Sequence, residues 1–246
     1  MHSSFLLRWI STAIVILPAL SIAASPATRG PEGAADVIVI GFVGGFVRQN
    51  DAVHQEVQLA TRLRNDYPTG VQVKLFANRQ GQQAQQAILH LLDTDHDGKL
   101  SNEEKRAARI VLYGHSWGAS EAITLARTLG TEGIPVLLTI QVDSVTKIGE
   151  DDGLIPSNVA QAVNFFQLNG LLHGRREIVA ADRERTQILG NYQLDYKHKP
   201  VKVDGYPWYA QMFMKPHIEI ESDPAVWNQI ESMIRAKVPQ AAVSTQ

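Results

Sequence analysis

"IVLYGHSWGAS", Ile110–Ser120, is the stretch whose reading decides the fold. Ile110 to Tyr113 run without a polar break, as a strand buried on both faces of a parallel sheet does. Gly114–His115–Ser116–Trp117–Gly118 ends the run, and Ala119, Ala122, Ile123, Ala126 and Leu129 then recur at helical spacing up to Gly130. Strand, tight turn and helix leave Ser116 at the bend. A bare Gly-x-Ser-x-Gly pattern arises by chance in about one chain in ten of this length, so the flanking elements carry the reading. A sharp strand-to-helix turn holds its central residue in strained backbone, and the two glycines let neighbouring chains approach. The helix N-terminus behind the serine favours negative charge developing beside it.

Working outward, "DVIVIGFVGGF" predicts a strand over Val37–Ile40 that ends in a glycine-rich turn. Val53, Val57, Ala60 and Leu63 mark a helical face, and Val71–Asn78 alternates as a strand. Ala84, Ala87, Ile88, Leu91 and Leu92 form a second stripe. Beyond the serine helix, Pro135–Val142 reads as a buried strand, Asn158–Leu168 as a helix and "REIVAA", Arg176–Ala181, as a further strand. Asp223 as N-cap and Pro224 at the first helical position open a last helix with Val226, Trp227, Ile230, Met233 and Ile234 on its stripe. Strands alternating with amphipathic helices predict an α/β domain with a mostly parallel sheet covered on both faces. The tail from Pro239 is expected to fray.

The 246 residues suffice for one sizeable core, and a formal charge of -2 offers no footprint for nucleic acid. With no cysteine, disulfides, a thiol nucleophile and a lipoprotein anchor are excluded. Residues 1–24 read as a secretory signal: Arg8, an apolar stretch to Ile22, then Ser21, Ala23, Ala24 and Ser25 around a cut after Ala23 or Ala24. Pro18 and the short apolar run argue against an uncleaved anchor. Residues 25–246 are then the mature domain, secreted or periplasmic.

Through "GHSWG" set between strand and helix, the chain resembles the α/β-hydrolase family, of the serine esterase and lipase kind. The resemblance implies a three-layer sandwich, here with a trimmed sheet of about six strands. It also implies the chain order nucleophile, acid, histidine. Ser116 is then the nucleophile. His173, His198 and His217 follow it, and His217, expected in the last loop before the C-terminal helix, takes the family's place for the base. His115 points away from that place. Asp143, at the clean end of the Pro135–Val142 strand, is the preferred acid, and Asp182 after "REIVAA" the alternative. The backbone of Trp117, and of Phe42 or Val43 in the first glycine-rich turn, would supply the oxyanion hole.

A second motif, "DTDHDGKLSNEE", Asp93–Glu104, fills an EF-hand loop position by position. Asp93, Asp95 and Asp97 stand at the first, third and fifth places, with Gly98 at the sixth for the sharp turn. Lys99 offers its carbonyl, Ser101 the ninth place and Glu104 the bidentate twelfth. Ser101 and Glu104 also form a capping box, which is compatible with metal. The expectation is a structural Ca2+ that steadies the connection leading into the Ser116 strand.

Tyr206, Trp208, Tyr209, Met212, Phe213 and Met214 lie just ahead of His217, and Phe165 and Phe166 are either pocket wall or core. An apolar rim fits a small or lipid-like carboxylic ester better than a charged substrate. Thioester and amide substrates stay open, as does oligomeric state. The rival reading is a non-catalytic calcium-binding protein on a degenerate hydrolase fold.

Overall fold

The computed structural model describes residues 36–239. The N-terminal signal reading and the tail beyond Pro239 lie outside the described residues. Strand β1 (Val37–Val43), helix α1 (Gln55–Asp66), β2 (Val71–Ala77) and α2 (Gly81–Leu92) come first. The short α3 (Asn102–Ala107) leads into β3 (Ile110–His115), α4 (Trp117–Thr131) and β4 (Val136–Val142). The second half holds β5 (Leu154–Ile155), β6 (Val159–Gln167), β7 (Val179–Ala180) and β8 (Gln187–Leu194). Three helices close it: α5 (Trp208–Phe213), α6 (Lys215–Ser222) and α7 (Pro224–Arg235). Among the described residues no helix is long and apolar enough to cross a membrane.

Six strands form one sheet in the order β2-β1-β3-β4-β6-β8, every pairing parallel. The chain steps from β1 outward to β2 and then back across β1 to β3. Connections therefore diverge at the C-terminal ends of the strands beside β1, where open α/β sheets bind their ligands.

Burial on both faces follows from strand periodicity. In β1, Val37 and Val39 join a core layer with Leu59 and Leu63 of α1 and Trp227 and Ile230 of α7. Ile38, Ile40 and Phe42 face the other way, onto Ile88 of α2 and Ile123 and Ala126 of α4. Strand β3 splits likewise, Val111 and Tyr113 against Ile110 and Leu112. Tyr113 is wholly buried, and its hydroxyl donates to the Glu56 carbonyl at 3.0 Å.

The expected sandwich and a six-stranded sheet are found, with corrections in the second half. Asn158–Leu168 is not a helix: Val159–Gln167 is the strand β6, inside the sheet. A strand buried on both faces loses its alternation, and an apolar run of that length is ambiguous by periodicity; the β-branched and aromatic Val159, Val163, Phe165 and Phe166 were the better guide. Only Val179–Ala180 of "REIVAA" is extended, paired with β5 in a separate two-stranded ribbon. The sixth strand of the main sheet is instead β8, "QILGNYQL", at the sheet edge and half exposed. Its polar outer positions hide it from an apolar-run criterion.

Candidate active site

Ser116 sits between the end of β3 and the start of α4 with φ 56 and ψ -126, a strained conformation for a residue with a side chain. The turn is held because Ser116 N–H donates to Val142 O at 3.0 Å and Val145 N–H to Ser116 O at 3.3 Å. The two flanking glycines have specific steric reasons. A Cβ on Gly114 would lie 2.5 Å from the Gly118 carbonyl, and one on Gly118 would lie 2.3 Å from Phe42 O. Strand, helix and β1 thus meet closer than any side chain permits.

Asp143 follows β4 directly and also has a positive φ of 43. Its carboxylate is surrounded by donors. Oδ1 accepts from the backbone N–H of Gln167 at 3.2 Å and of Gly174 at 2.7 Å. Oδ2 accepts from Gln167 Nε2 at 2.8 Å and lies 2.7 Å from His217 Nδ1. A Cβ on Gly174 would meet the Asp143 backbone at 2.4 Å, so this loop too needs glycine to close on the acid. Behind it, buried Asp152 accepts from Ser144 Oγ at 2.5 Å, Thr146 Oγ1 at 2.7 Å and Arg175 Nε at 2.6 Å. These bonds tie the loops after β4 and β6 together under Asp143.

His217 lies in the first turn of α6 rather than in the preceding loop. Pro216 is compatible with a first helical turn, and burial of Ile218 and Ile220 anchors the helix, so the segment folds where a loop was expected. With Asp143 Oδ2 as the acceptor, the imidazole N–H lies on Nδ1 and leaves the Nε2 lone pair free. Its ring centroid is 4.4 Å from that of His115, the residue before Ser116, and His115 Nε2 lies 3.2 Å from the His217 carbonyl. Serine, histidine and aspartate are all buried, from three distant parts of the sequence. Among the described residues the His217 ring hydrogen-bonds only to Asp143; a serine–histidine bond commonly tightens only with substrate in place.

The remaining candidates separate cleanly. Asp182, the alternative acid, accepts from Glu184 N–H at 2.9 Å in the turn after β7, and is not the partner of His217. His198 pairs with Asp195 on the surface at 2.5 Å. Phe42 and Val43 place their carbonyls against Gly118, and Gly44 comes closest to the serine, a Cβ there falling 3.1 Å from Ser116 Cβ. Phe42 and Val43, expected in a turn after Ile40, are instead the last residues of β1, because pairing with β2 continues through both and pairing with β3 through Phe42; the turn that borders the serine begins at Gly44. Gly44 itself was not foreseen, although its place in "GFVGGF" is the kind of signal that marks a close approach. Trp117 opens α4, so its N–H has no intrahelical carbonyl to bond.

Around this centre, Trp208, Tyr209, Met212 and Phe213 of α5 are exposed, while Tyr206 and Met214 pack inward with Val203, Ala210 and Ile218. Phe46, exposed, meets Trp117 edge-on with centroids 6.0 Å apart. Phe165 and Phe166 are buried strand residues, which settles them as core.

In the acidic loop, His96 and Gly98 have φ 59 and 79, so the backbone curls around the carboxylates. Oxygens of Asp93, Asp95 and Asp97 lie within 4.8 Å of one another. Asp93 accepts from Asp97 N–H at 3.2 Å and Gly98 N–H at 3.0 Å. Glu104 closes the loop: Oε2 accepts from Ser101 N–H at 2.9 Å and Oε1 from Thr94 N–H at 2.7 Å. The Ser101 and Thr94 N–H groups hold its carboxyl down at a pKa of about 2.

No family model and no curated sequence matches the chain. Among solved structures, it is similar to RedJ with a PEG molecule bound in its active site, at 11% identity and TM-score 0.36 over 82% of this chain and 97% of that one. RedJ, the thioesterase of the prodiginine biosynthetic pathway in Streptomyces coelicolor, also matches at 11% and 0.36, over 87% and 95%. A dienelactone hydrolase-like promiscuous phosphotriesterase from metagenomic libraries matches at 14% and 0.39, over 86% and 89%. With overlaps this loose, the fold rests on strand order and the turn at Ser116. A parallel sheet in the order β2-β1-β3-β4-β6-β8, with a strained serine between its third strand and the following helix, is an α/β-hydrolase-type fold.

Proposed function

We propose that this protein is an exported serine hydrolase that cleaves carboxylic esters. Ser116 is the nucleophile, His217 the general base and acid, and Asp143 the residue that orients the imidazole. The observation that carries this reading is the 2.7 Å contact between His217 Nδ1 and Asp143 Oδ2, on an imidazole packed beside the residue preceding Ser116. In the acylation step the Ser116 oxygen bonds to the ester carbonyl carbon while its proton passes to His217 Nε2. The oxyanion is met by the Trp117 N–H at the head of α4 and by an N–H of Phe42 or Val43 at the end of β1. Collapse breaks the carbon–oxygen bond to the leaving alcohol, which takes the proton from His217. Water, deprotonated by the same imidazole, then releases the acid and restores the serine.

The exposed Trp208, Tyr209, Met212 and Phe213 on the helix leading into α6 support an apolar acyl chain as the group recognised. Labelling with a fluorophosphonate, followed by an ester panel of increasing chain length, tests both parts. A single adduct on Ser116 and a preference for longer acyl chains are expected. No adduct would leave a calcium-binding protein without hydrolase activity.

We further propose that the Asp93–Glu104 loop holds a structural Ca2+. Three clustered aspartates with turns at His96 and Gly98 suit a hard cation, and the motif's further ligands would be the Lys99 carbonyl, Ser101 and Glu104. The loop lies between α2 and the strand that ends at Ser116. Millimolar Ca2+ is expected to raise the melting temperature by several degrees over the chelated protein, a gain of about 2 kcal/mol, and Glu104→Gln to remove most of it. A melting temperature indifferent to chelator would end the calcium reading and leave the hydrolase untouched.

A further inference from the structure

Around His115, the residue before Ser116, lies a second cluster that the proposed hydrolysis does not use. We propose that His54, Glu56, His115 and Glu221 form a buried binding site for a transition-metal ion of the Zn2+ class. Ligand atoms of His54, Glu56 and Glu221 lie within 4.8 Å of one another. His115 Nδ1 faces the same point, 3.4 Å from Glu221 Oε2 and 3.9 Å from Glu56 Oε1. Four donors bound tetrahedrally at about 2.0–2.2 Å stand roughly 3.3–3.6 Å apart, so modest side-chain adjustment brings this set onto one ion.

The independent observation is Glu56. It is 0% exposed, and neither carboxylate oxygen has a hydrogen-bond partner among the described residues. An orphaned buried carboxylate costs several kcal/mol. A proton shared with Glu221 would bridge one oxygen of each carboxyl and still leave the other Glu56 oxygen without a donor. A bound cation satisfies both carboxylates together.

The histidines are prepared as ligands in their other nitrogens. His115 Nε2 meets the His217 carbonyl at 3.2 Å, which places the proton on Nε2 and leaves Nδ1 free. His54 turns Nδ1 to Glu221 and has the Asp51 carboxylate 3.9 Å from Nε2. The bond from His115 to the His217 carbonyl is an outer partner of the kind that orients metal-bound imidazoles. Tyr206 packs edge-on to His54 with ring centroids 5.4 Å apart, beside the cluster. Imidazole and carboxylate together suit Zn2+ or Co2+ rather than Ca2+, which distinguishes this site from the acidic loop. An ion here would pin the start of α1, the end of β3 and α6, and so the backbone of His217.

The full chain, stripped with chelator and dialysed, is titrated with Co2+ and Zn2+. One Co2+ per chain is expected to give the strong visible absorption of a tetrahedral site, displaced by one equivalent of Zn2+. Both properties should persist in Glu104→Gln, which disables the acidic loop. Affinity should fall at least 100-fold in Glu56→Gln and in His54→Ala. His54 reaches the surface, so His54→Ala decides the matter should Glu56→Gln fail to fold. Absence of the tetrahedral spectrum in the wild type, or undiminished binding in His54→Ala, would overturn the proposal and leave a proton-sharing carboxyl pair.

Discussion

Replacing Ser116 by alanine is expected to lower hydrolysis of a short p-nitrophenyl ester by roughly 10⁴- to 10⁶-fold while leaving a folded protein. The size follows from what remains. The donors at the head of α4 and the end of β1 still bind the substrate and its developing charge, but nothing forms the acyl-enzyme. Stability should change by no more than about 1 kcal/mol, because the serine side chain makes no hydrogen bond within the described fold. Alanine also inherits the same strained φ of 56. The two readouts are kcat/KM and the urea midpoint. Activity at the wild-type level would refute the assignment, and loss of the folded state would show that the turn needs the hydroxyl structurally.

The sequence makes the first half of this molecule legible because each element there has a sided environment. Apart from the short α3, strands and helices from Val37 to Val142 show an unbroken apolar run, a two-residue alternation or a 3.6-residue stripe. The second half is harder for a physical reason. Strand β6 is covered on both faces and reads as a helix, whereas β8 at the edge is polar on its open side and reads as nothing. The pairing of His217 with Asp143 was legible because the chain order implied by the resemblance, together with strand ends, restricts the candidates. Their helper groups were not: Gln167 and Gly174 reach Asp143 only once β6 and its following loop are placed. The His54–Glu56–His115–Glu221 cluster is equally invisible in one dimension. Glu56 looks like a solvated residue in the first turn of an amphipathic helix, and only the packing of α6 over that turn buries it.

Asp143→Asn is expected to be the most informative conservative change, because each carboxylate oxygen faces donors alone. Oδ1 accepts two backbone N–H groups, and Oδ2 accepts Gln167 Nε2 beside His217 Nδ1. An asparagine must set its amide NH2 against one of these pairs. Turned toward Oδ2, it opposes the His217 proton and drives the imidazole to the other tautomer, with Nε2–H aimed at the serine. Turned toward Oδ1, it opposes the Gln167 and Gly174 N–H groups, at a stability cost of about 1–3 kcal/mol. The first outcome lowers kcat by about 10⁴-fold with little change in KM, since a histidine in the wrong tautomer cannot accept the serine proton. Proton NMR of the His217 ring separates the two orientations, because the Nδ1–H resonance survives only in the second. Asp182→Asn, by contrast, alters a turn after β7 and should leave kcat within twofold. Equal losses in the two variants would remove Asp143 from its proposed role; full activity in Asp143→Asn would do so outright.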